Sequence, residues 1–369
     1  MYIMGNKASY VLSGLVLAVV SLACVSSSFA LGAAQTYHTG MRPKAVMTAD
    51  FNGDGRPDIA TVNEGNQSVS ILLNSGDGTF AANNDYGTGS SPEALAAGDF
   101  DGDRDLDIVT ADMGSGSVSV LLGDGAGAFS GNVEFSVGKQ PDYVVTSDFD
   151  EDGKLDLAVA NAGDSSVTIL FGTGDGAFGL RQDYTVGLHP ASLTLADFNS
   201  DNNTDIAVAN QSANTVTILL GNGGGTFRLG GTFKTGTGPI SVVTADFNKD
   251  EQPDLAVADS LANKVSVLTG TPAGDFQPKQ DFDAGRGPSS LVTADLDGDG
   301  TPDLAVSNAG GNSVSVLTGT GNGYFSPAQD YYVGNAPASI ASADFDGDGA
   351  ADIVVANTQD NSVSVLSGR

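Results

Sequence analysis

The sequence predicts an all-β protein, a seven-bladed β-propeller of four-stranded antiparallel blades. Three observations carry the prediction. A nine-residue acidic pattern recurs seven times at a constant spacing of 49 residues. Each interval holds four short runs with the alternation of strands. The last interval stops short, and the N-terminal stretch holds what it lacks.

The repeat comes first, because a fixed period in this range marks a repeat architecture and outranks local readings. Asp50-Phe-Asn-Gly-Asp-Gly-Arg-Pro-Asp58 returns at Asp99, Asp148, Asp197, Asp246, Asp295 and Asp344. The first and fifth positions are Asp in every copy: Asp50 and Asp54, Asp99 and Asp103, Asp148 and Asp152, Asp197 and Asp201, Asp246 and Asp250, Asp295 and Asp299, Asp344 and Asp348. The third is Asp101, Asp150, Asp297 or Asp346, or an amide at Asn52, Asn199 and Asn248. The ninth is Asp58, Asp107, Asp156, Asp205, Asp254, Asp303 and Asp352. An oxygen at every second position of a tight loop suits a hard cation, and Ca2+ takes six to eight oxygens. The seventh position holds Arg56, Asp105, Lys154, Asn203, Gln252, Thr301 or Ala350, so it offers its backbone carbonyl. The sixth needs a sharp turn that favours positive φ. Gly55, Gly153, Gly300 and Gly349 suit it, Asn202 is tolerable, and Arg104 and Glu251 fit poorly. Up to seven Ca2+ are expected, one per blade. An EF-hand loop would want a carboxylate at position twelve, where this chain has Thr61 and Thr110. A glycine-rich nonapeptide helix would repeat every nine residues, which this chain does not.

The strands come second. In the second interval, Pro92 to Phe100 leads into the ion loop, and Asp107-Ile-Val-Thr-Ala111 leaves it. A polar turn, Asp112 to Gly116, follows. Ser117-Val-Ser-Val-Leu-Leu122 alternates small polar and apolar residues, as a strand does. Gly123 to Gly127 is a hairpin turn, and Ala128 to Val137 is the fourth strand, with Phe129 and Phe135 as anchors. No segment beyond the N-terminal one has a helical apolar period. Four short antiparallel strands per repeat describe a propeller blade.

Closure comes third. The chain ends at Arg369, inside the third strand of its last interval. Tyr37 aligns with Tyr86, Phe135, Tyr184, Phe233, Phe282 and Tyr331, so residues near 35–40 are expected to be the outer strand of the last blade.

These residues resemble a known family. Asp-Phe-Asn-Gly-Asp-Gly followed by Pro-Asp-Ile-Ala, with Gly-Asp-Gly-Thr-Phe80 downstream, resembles the FG-GAP or VCBS-type repeat of bacterial surface proteins. It is similar to the calcium-bearing blades of the integrin α-subunit propeller. The resemblance covers nearly all of residues 35–369 and implies metal ligands at the loop positions named above. It also implies adhesion or ligand display, sometimes as a non-catalytic part of larger enzymes. One departure weakens the inference of integrin-like partners: the Gly-Ala-Pro that ends the second strand there is Ala160-Asn-Ala162 here.

Composition bounds the partner. The formal net charge is −30 with pI near 4.1. More than half of the 45 acidic residues sit in the loops. Seven divalent ions would bring the charge to about −16. A nucleic-acid surface needs a basic stripe, so nucleic acid is excluded as a partner. Residues 1–30 read as a signal peptide: Lys7, an apolar run from Val11 to Val25, and Ser28-Phe-Ala30 as the cleavage site. The run is short of a ~20-residue span, so no transmembrane segment is expected in the mature chain. Residues 31–369 then form the propeller. Cys24 after Ser21-Leu-Ala23 is an imperfect lipoprotein box, and as the single Cys it allows no intrachain disulfide. A secreted or cell-surface protein is the expectation, stabilised by its core and by Ca2+.

Function is expected on one rim. The ion loops and the Gly-Asp-Gly turns share one rim of the ring, and the Gly-x-x-Pro turns share the other. The central pair of Gly-x-x-Pro varies most, and Arg42, Lys139, His189 and Arg286 are the candidate ligand-binding residues there. Variable turns on a uniform scaffold are where function is usually carried. Catalysis finds little support: His38 and His189 are the only histidines and read as exposed, and no interval carries an inserted loop. The reading is a non-catalytic calcium-binding adhesion or binding module for an extracellular protein or glycan. A carbohydrate-binding lectin and a propeller-type polysaccharide-cleaving enzyme are the alternatives. Absence of Trp counts against the lectin.

Overall fold

The computed structural model describes residues 30–368. Nearly all of the expected signal peptide, and Cys24 with it, lie outside the described residues. Among the described residues no helix is long and apolar enough to cross a membrane.

Seven four-stranded antiparallel sheets form the seven blades. Within a blade the strands follow chain order from the axis outward, as in the second: Pro92–Gly98, Asp107–Asp112, Ser117–Gly123 and Phe129–Ser136. The second and third strands are buried along most of their length, which explains runs such as Asp-Ile-Val-Thr-Ala-Asp with little alternation. First strands are half-buried, because one edge faces the channel while the other pairs with the second strand and the faces pack on neighbouring blades. Fourth strands are mostly exposed.

The seventh blade is built from both ends of the chain. Gln35–His38 pairs antiparallel with Ser362–Leu366, with Tyr37 opposite Val363. The clasp reaches further than the outer strand: Gly32 N–H donates to the Ser367 carbonyl at 2.7 Å, and Leu31 is buried against Leu296 and Leu366.

Each blade interface carries the same wedge. Phe80 meets Tyr37 and Phe345 edge-on, with centroids 5.2 Å away in both cases. Phe129 meets Phe51 and Tyr86, and Phe178 meets Phe100 and Phe135, in the same way. Such pairs favour edge-to-face geometry. The period therefore assigns three roles: position two of the ion loop, the mid-residue of the fourth strand, and the Phe that follows the Gly-Asp-Gly turn of the next blade. At the seventh interface Leu31 falls one period before Phe80, and Leu296 stands in place of Phe at position two.

The fourth strands differ in length, which the sequence reading missed. Those of blades two to four run eight residues, while Asn84–Gly87, Gln280–Asp283 and Gln329–Tyr332 run four. Pro278 and Pro327 interrupt two of the short ones, since Pro cannot donate to the ladder. Their wedge residues still pair by single bridges, Gly270 to Phe276 and Gly319 to Phe325.

Candidate metal loops and the channel mouth

The acidic loops join first and second strands and share one backbone scheme. Position one caps the loop: Asp50 accepts from the Asp54 N–H at 3.1 Å and the Gly55 N–H at 2.7 Å. Asp148, Asp197, Asp246, Asp295 and Asp344 do the same. The position-three oxygen also accepts the position-five N–H, whether it comes from an acid or an amide: Asp297 at 3.2 Å, Asn52 at 3.1 Å, Asn248 at 2.9 Å. These bonds turn the side-chain oxygens inward.

In four loops the carboxylates converge into triads able to hold a metal ion. They are Asp99, Asp101 and Asp107; Asp148, Asp150 and Asp152; Asp295, Asp297 and Asp299; and Asp344, Asp346 and Asp348, each with ligand atoms within 4.8 Å of one another. Only oxygen donors are present, which suits a hard cation. The loops at Asp50, Asp197 and Asp246 carry Asn at position three and so present fewer carboxylates, on the same backbone.

Position nine has a second task. Asp58 is fully buried, and its two carboxylate oxygens accept from Phe51 N–H at 3.0 Å and Asn74 N–H at 2.7 Å. Every blade repeats the bridge, as in Asp303 with Leu296 and Gly319. The residue thus ties the loop to the end of the third strand. Burial pushes the carboxyls of Asp107, Asp156, Asp205, Asp254 and Asp303 up to about 6. Those of Asp58 and Asp352 move in the same direction for the same reason.

Position seven folds back onto position five in several loops. The Arg56 guanidinium donates to the Ser75 carbonyl at 3.1 Å and pairs with Asp54 at 3.0 Å, while Lys154 pairs with Asp152 at 2.7 Å. Those partners hold the Asp54 and Asp152 carboxyls below the usual range. Asp105 crowds Gly125 of its own Gly-Asp-Gly turn. Position six adopts positive φ throughout: Gly55 at 82°, Arg104 at 77°, Asn202 at 66°, Glu251 at 65°. Position four does so too, with Glu151 at 60°, Ser200 at 60° and Lys249 at 62° standing where other loops have Gly53, Gly102, Gly298 and Gly347. The recurrent glycine at position four was the signal available in the sequence. Beside the loops, turns between third and fourth strands rest on the preceding blade's loop: the Gly176, Gly225 and Gly323 N–H groups donate to the Phe100, Phe149 and Phe247 carbonyls at 2.9 Å.

The opposite rim is clamped in its backbone. The residue before each rim proline takes positive φ: Arg42, Ser91, Gln140, His189, Gly238, Gly287 and Ala336. Its carbonyl accepts from the turn between the second and third strands, as with Arg42 and Glu64 N–H at 3.1 Å or His189 and Gln211 N–H at 2.8 Å. Side chains therefore vary on a fixed frame. Arg42 pairs with Glu64 at 3.0 Å, Lys139 pairs with Asp164 at 3.6 Å, Arg286 is exposed and His189 is half-buried. Arg42 reaches the channel mouth, a cavity of about 760 Å³. The residue after each rim proline lines that cavity: Lys44, Glu93, Asp142, Ala191, Ile240, Ser289 and Ala338. Lys139, His189 and Arg286 stand outside it. His38 is exposed on the clasp strand.

A ring of seven blades, each with an acid-rich loop on one rim, defines a repeat propeller of the acidic-loop type. The model of the FG-GAP-like repeat matches six overlapping stretches, residues 50–110, 99–159, 148–208, 197–257, 246–306 and 295–355. The chain belongs to the FG-GAP-like repeat family. No curated protein matches it. Solved structures share the fold at low identity. BBS1N in complex with ARL6DN aligns with TM-score 0.65 and 13% identity over 91% of this chain and 96% of that one. A virginiamycin B lyase from Staphylococcus aureus aligns with TM-score 0.63 and 15% identity over 92% and 99%. A lectin from Agrocybe aegerita that recognises non-reducing terminal N-acetylglucosamine aligns with TM-score 0.54 and 19% identity over 88% and 87%. Identities this low speak to the fold alone.

Proposed function

We propose that the protein is a secreted or surface-exposed, calcium-binding propeller that acts as a non-catalytic binding module for an extracellular protein or glycan. The observation that carries this reading is the contrast between the rims. One rim repeats an acidic loop with Asp at positions one, five and nine in every blade, while the other varies its side chains on a clamped backbone. Ca2+ would be held at positions one, three, five and nine, with the position-seven carbonyl, and would neutralise carboxylates that otherwise repel. Metal held there acts through rigidity, and partner contacts fall to the variable rim. Met41, Leu188 and Leu261 support that assignment, being exposed at 57%, 62% and 75% on that rim. Leu31 adds support for export, because cleavage after Ala30 would leave this core residue at the mature N-terminus.

A glycan and extracellular-matrix array, probed in calcium and in chelator, tests the reading. Replacing Arg42, Lys139 and Arg286 together with Ser is expected to abolish the array signal. The melting temperature should hold, since exposed turn substitutions usually cost within about 0.5 kcal/mol. Asp299→Ala is expected to lower stability first and binding only as the fold loosens. A rim variant that binds like the parent, beside a folded Asp299→Ala that does not bind, would place the partner on the metal rim.

A further inference from the structure

The charges at the channel mouth do not balance. Glu64 receives Arg42 at 3.0 Å and Lys44 at 3.2 Å, and Lys44 also holds Glu93 at 3.0 Å. Asp142, on the next blade, lines the same cavity, and among the described residues no hydrogen bond or ion pair is made to it. Three carboxylates thus face two cations, and the nearer cation already bridges two of the acids. Burial and the Glu93 charge push the Asp142 carboxyl up to about 7, against a weaker pull from Lys44. Round the ring beside it stand the apolar Ala191 and Ile240, while Ser289 and Ala338 lie on the far side. The cavity, about 760 Å³, falls in the range of small-ligand sites, which combine apolar walls with a few placed polar groups.

We infer that the channel mouth is a binding site for a small organic cation, a primary alkylammonium whose head pairs with Asp142 and whose aliphatic body lies on the Ala191–Ile240 wall. The site short of one positive charge is completed by the ligand. A metal ion fits less well, because the acid beside Asp142 is already engaged by Lys44 and Asp142 is left as a single carboxylate. An anionic ligand would need Lys44 or Arg42 free, and both are paired. The inference does not depend on the partner proposed for the rim, since the ligand enters the mouth itself.

The experiment is calorimetric titration of the calcium-loaded protein at about pH 8.5, where Asp142 is ionised, with n-butylammonium, 1,5-diaminopentane, n-butanol and butyrate. The butyl series holds the body constant and changes only the head. Binding of the ammonium, with butanol and butyrate silent, is the expected result. Asp142→Asn should weaken ammonium binding roughly tenfold or more, the scale of a lost charge-assisted hydrogen bond, while Lys234→Ser, exposed on a fourth strand away from the mouth, should bind like the parent. A stronger diamine than monoamine would mark a free polyamine as the source, and equal binding would mark a single ammonium head. Butanol binding as well as butylammonium, butyrate binding instead, no ammonium binding, or full binding by folded Asp142→Asn would each overturn the assignment. The head-group comparison needs only the parent protein, so it stands even if the variant does not fold.

Discussion

Ser266 has one hydroxyl proton and two carboxylates that compete for it, Asp259 at 2.6 Å and Asp281 at 2.8 Å. In five other blades the residue equivalent to Asp259 is an amide, and Asn63, Asn161, Asn210, Asn308 and Asn357 donate to the matching hydroxyl. Protonated Asp259 can imitate them, and ionised Asp259 cannot. Burial, with Asp281 adding to it, pushes the Asp259 carboxyl from 3.8 up to about 6. The sign follows: the native state binds this proton more tightly than the unfolded chain, so the stability this group contributes is full below about pH 4 and is lost as pH rises through about 6. Asp259→Asn should therefore raise stability at pH 7.5 by about 1–3 kcal/mol, and the gain should vanish at pH 4. Denaturant melts at the two pH values check this, and a gain that persists at pH 4 would assign it to packing instead. A second residue-scale prediction concerns the Asp246 loop, where Lys249 at 62° and Glu251 at 65° hold left-handed backbone. Such strain costs roughly 1–2 kcal/mol per residue and depopulates the ring-forming loop. Glu251→Gly should raise calcium affinity at that loop up to about tenfold, read by site-resolved NMR titration. The Asp295 and Asp344 loops should fill first, and an Asp246 site occupied at the lowest calcium would reverse the ranking.

At the scale of the element, the clasp decides whether the ring is closed. Leu31, Gly32 and Gln35–His38 supply the seventh wedge, a backbone bond to Ser367 and the outer strand of the last blade. Leu31→Ala should cost about 2–5 kcal/mol, as for other buried leucines. Removing residues 31–41 should also open the edge of Ser362–Leu366 and promote self-association. Calorimetry and light scattering give the answer, and a truncated protein that stays monomeric and equally stable would disprove the clasp. The clasp was legible in sequence because Tyr37 keeps the register of the other fourth strands. Leu31 was not, since Leu replaces the Phe that marks this position at Phe80, Phe129 and Phe178 and so breaks the visible pattern. The acidic loops were legible for the opposite reason: Asp recurs at positions one, five and nine in every copy, and position three keeps an oxygen as Asp or Asn. Their position-nine Asp looked like a ligand alone, and its backbone bridge to a segment sixteen residues on is invisible in spacing. The channel mouth was the least legible part, because Lys44, Glu93 and Asp142 lie 49 residues apart and meet only when the ring closes.

At the scale of the whole molecule, the proposed calcium would be part of the fold. The chain carries a formal charge of −30, concentrated in loops that crowd one rim. Extracellular modules bind Ca2+ with Kd ~10⁻⁴–10⁻³ M. At tenfold excess over Kd each independent site would add about 1.4 kcal/mol, and seven sites about 10 kcal/mol. Because turns between third and fourth strands rest on the loops of preceding blades, loosened loops would loosen the interfaces between blades. Thermal unfolding of the full chain in millimolar calcium and in excess chelator measures this most directly. The melting temperature should be lower in chelator by on the order of ten degrees or more, restored when calcium is returned. Superimposable curves in the two conditions would contradict it.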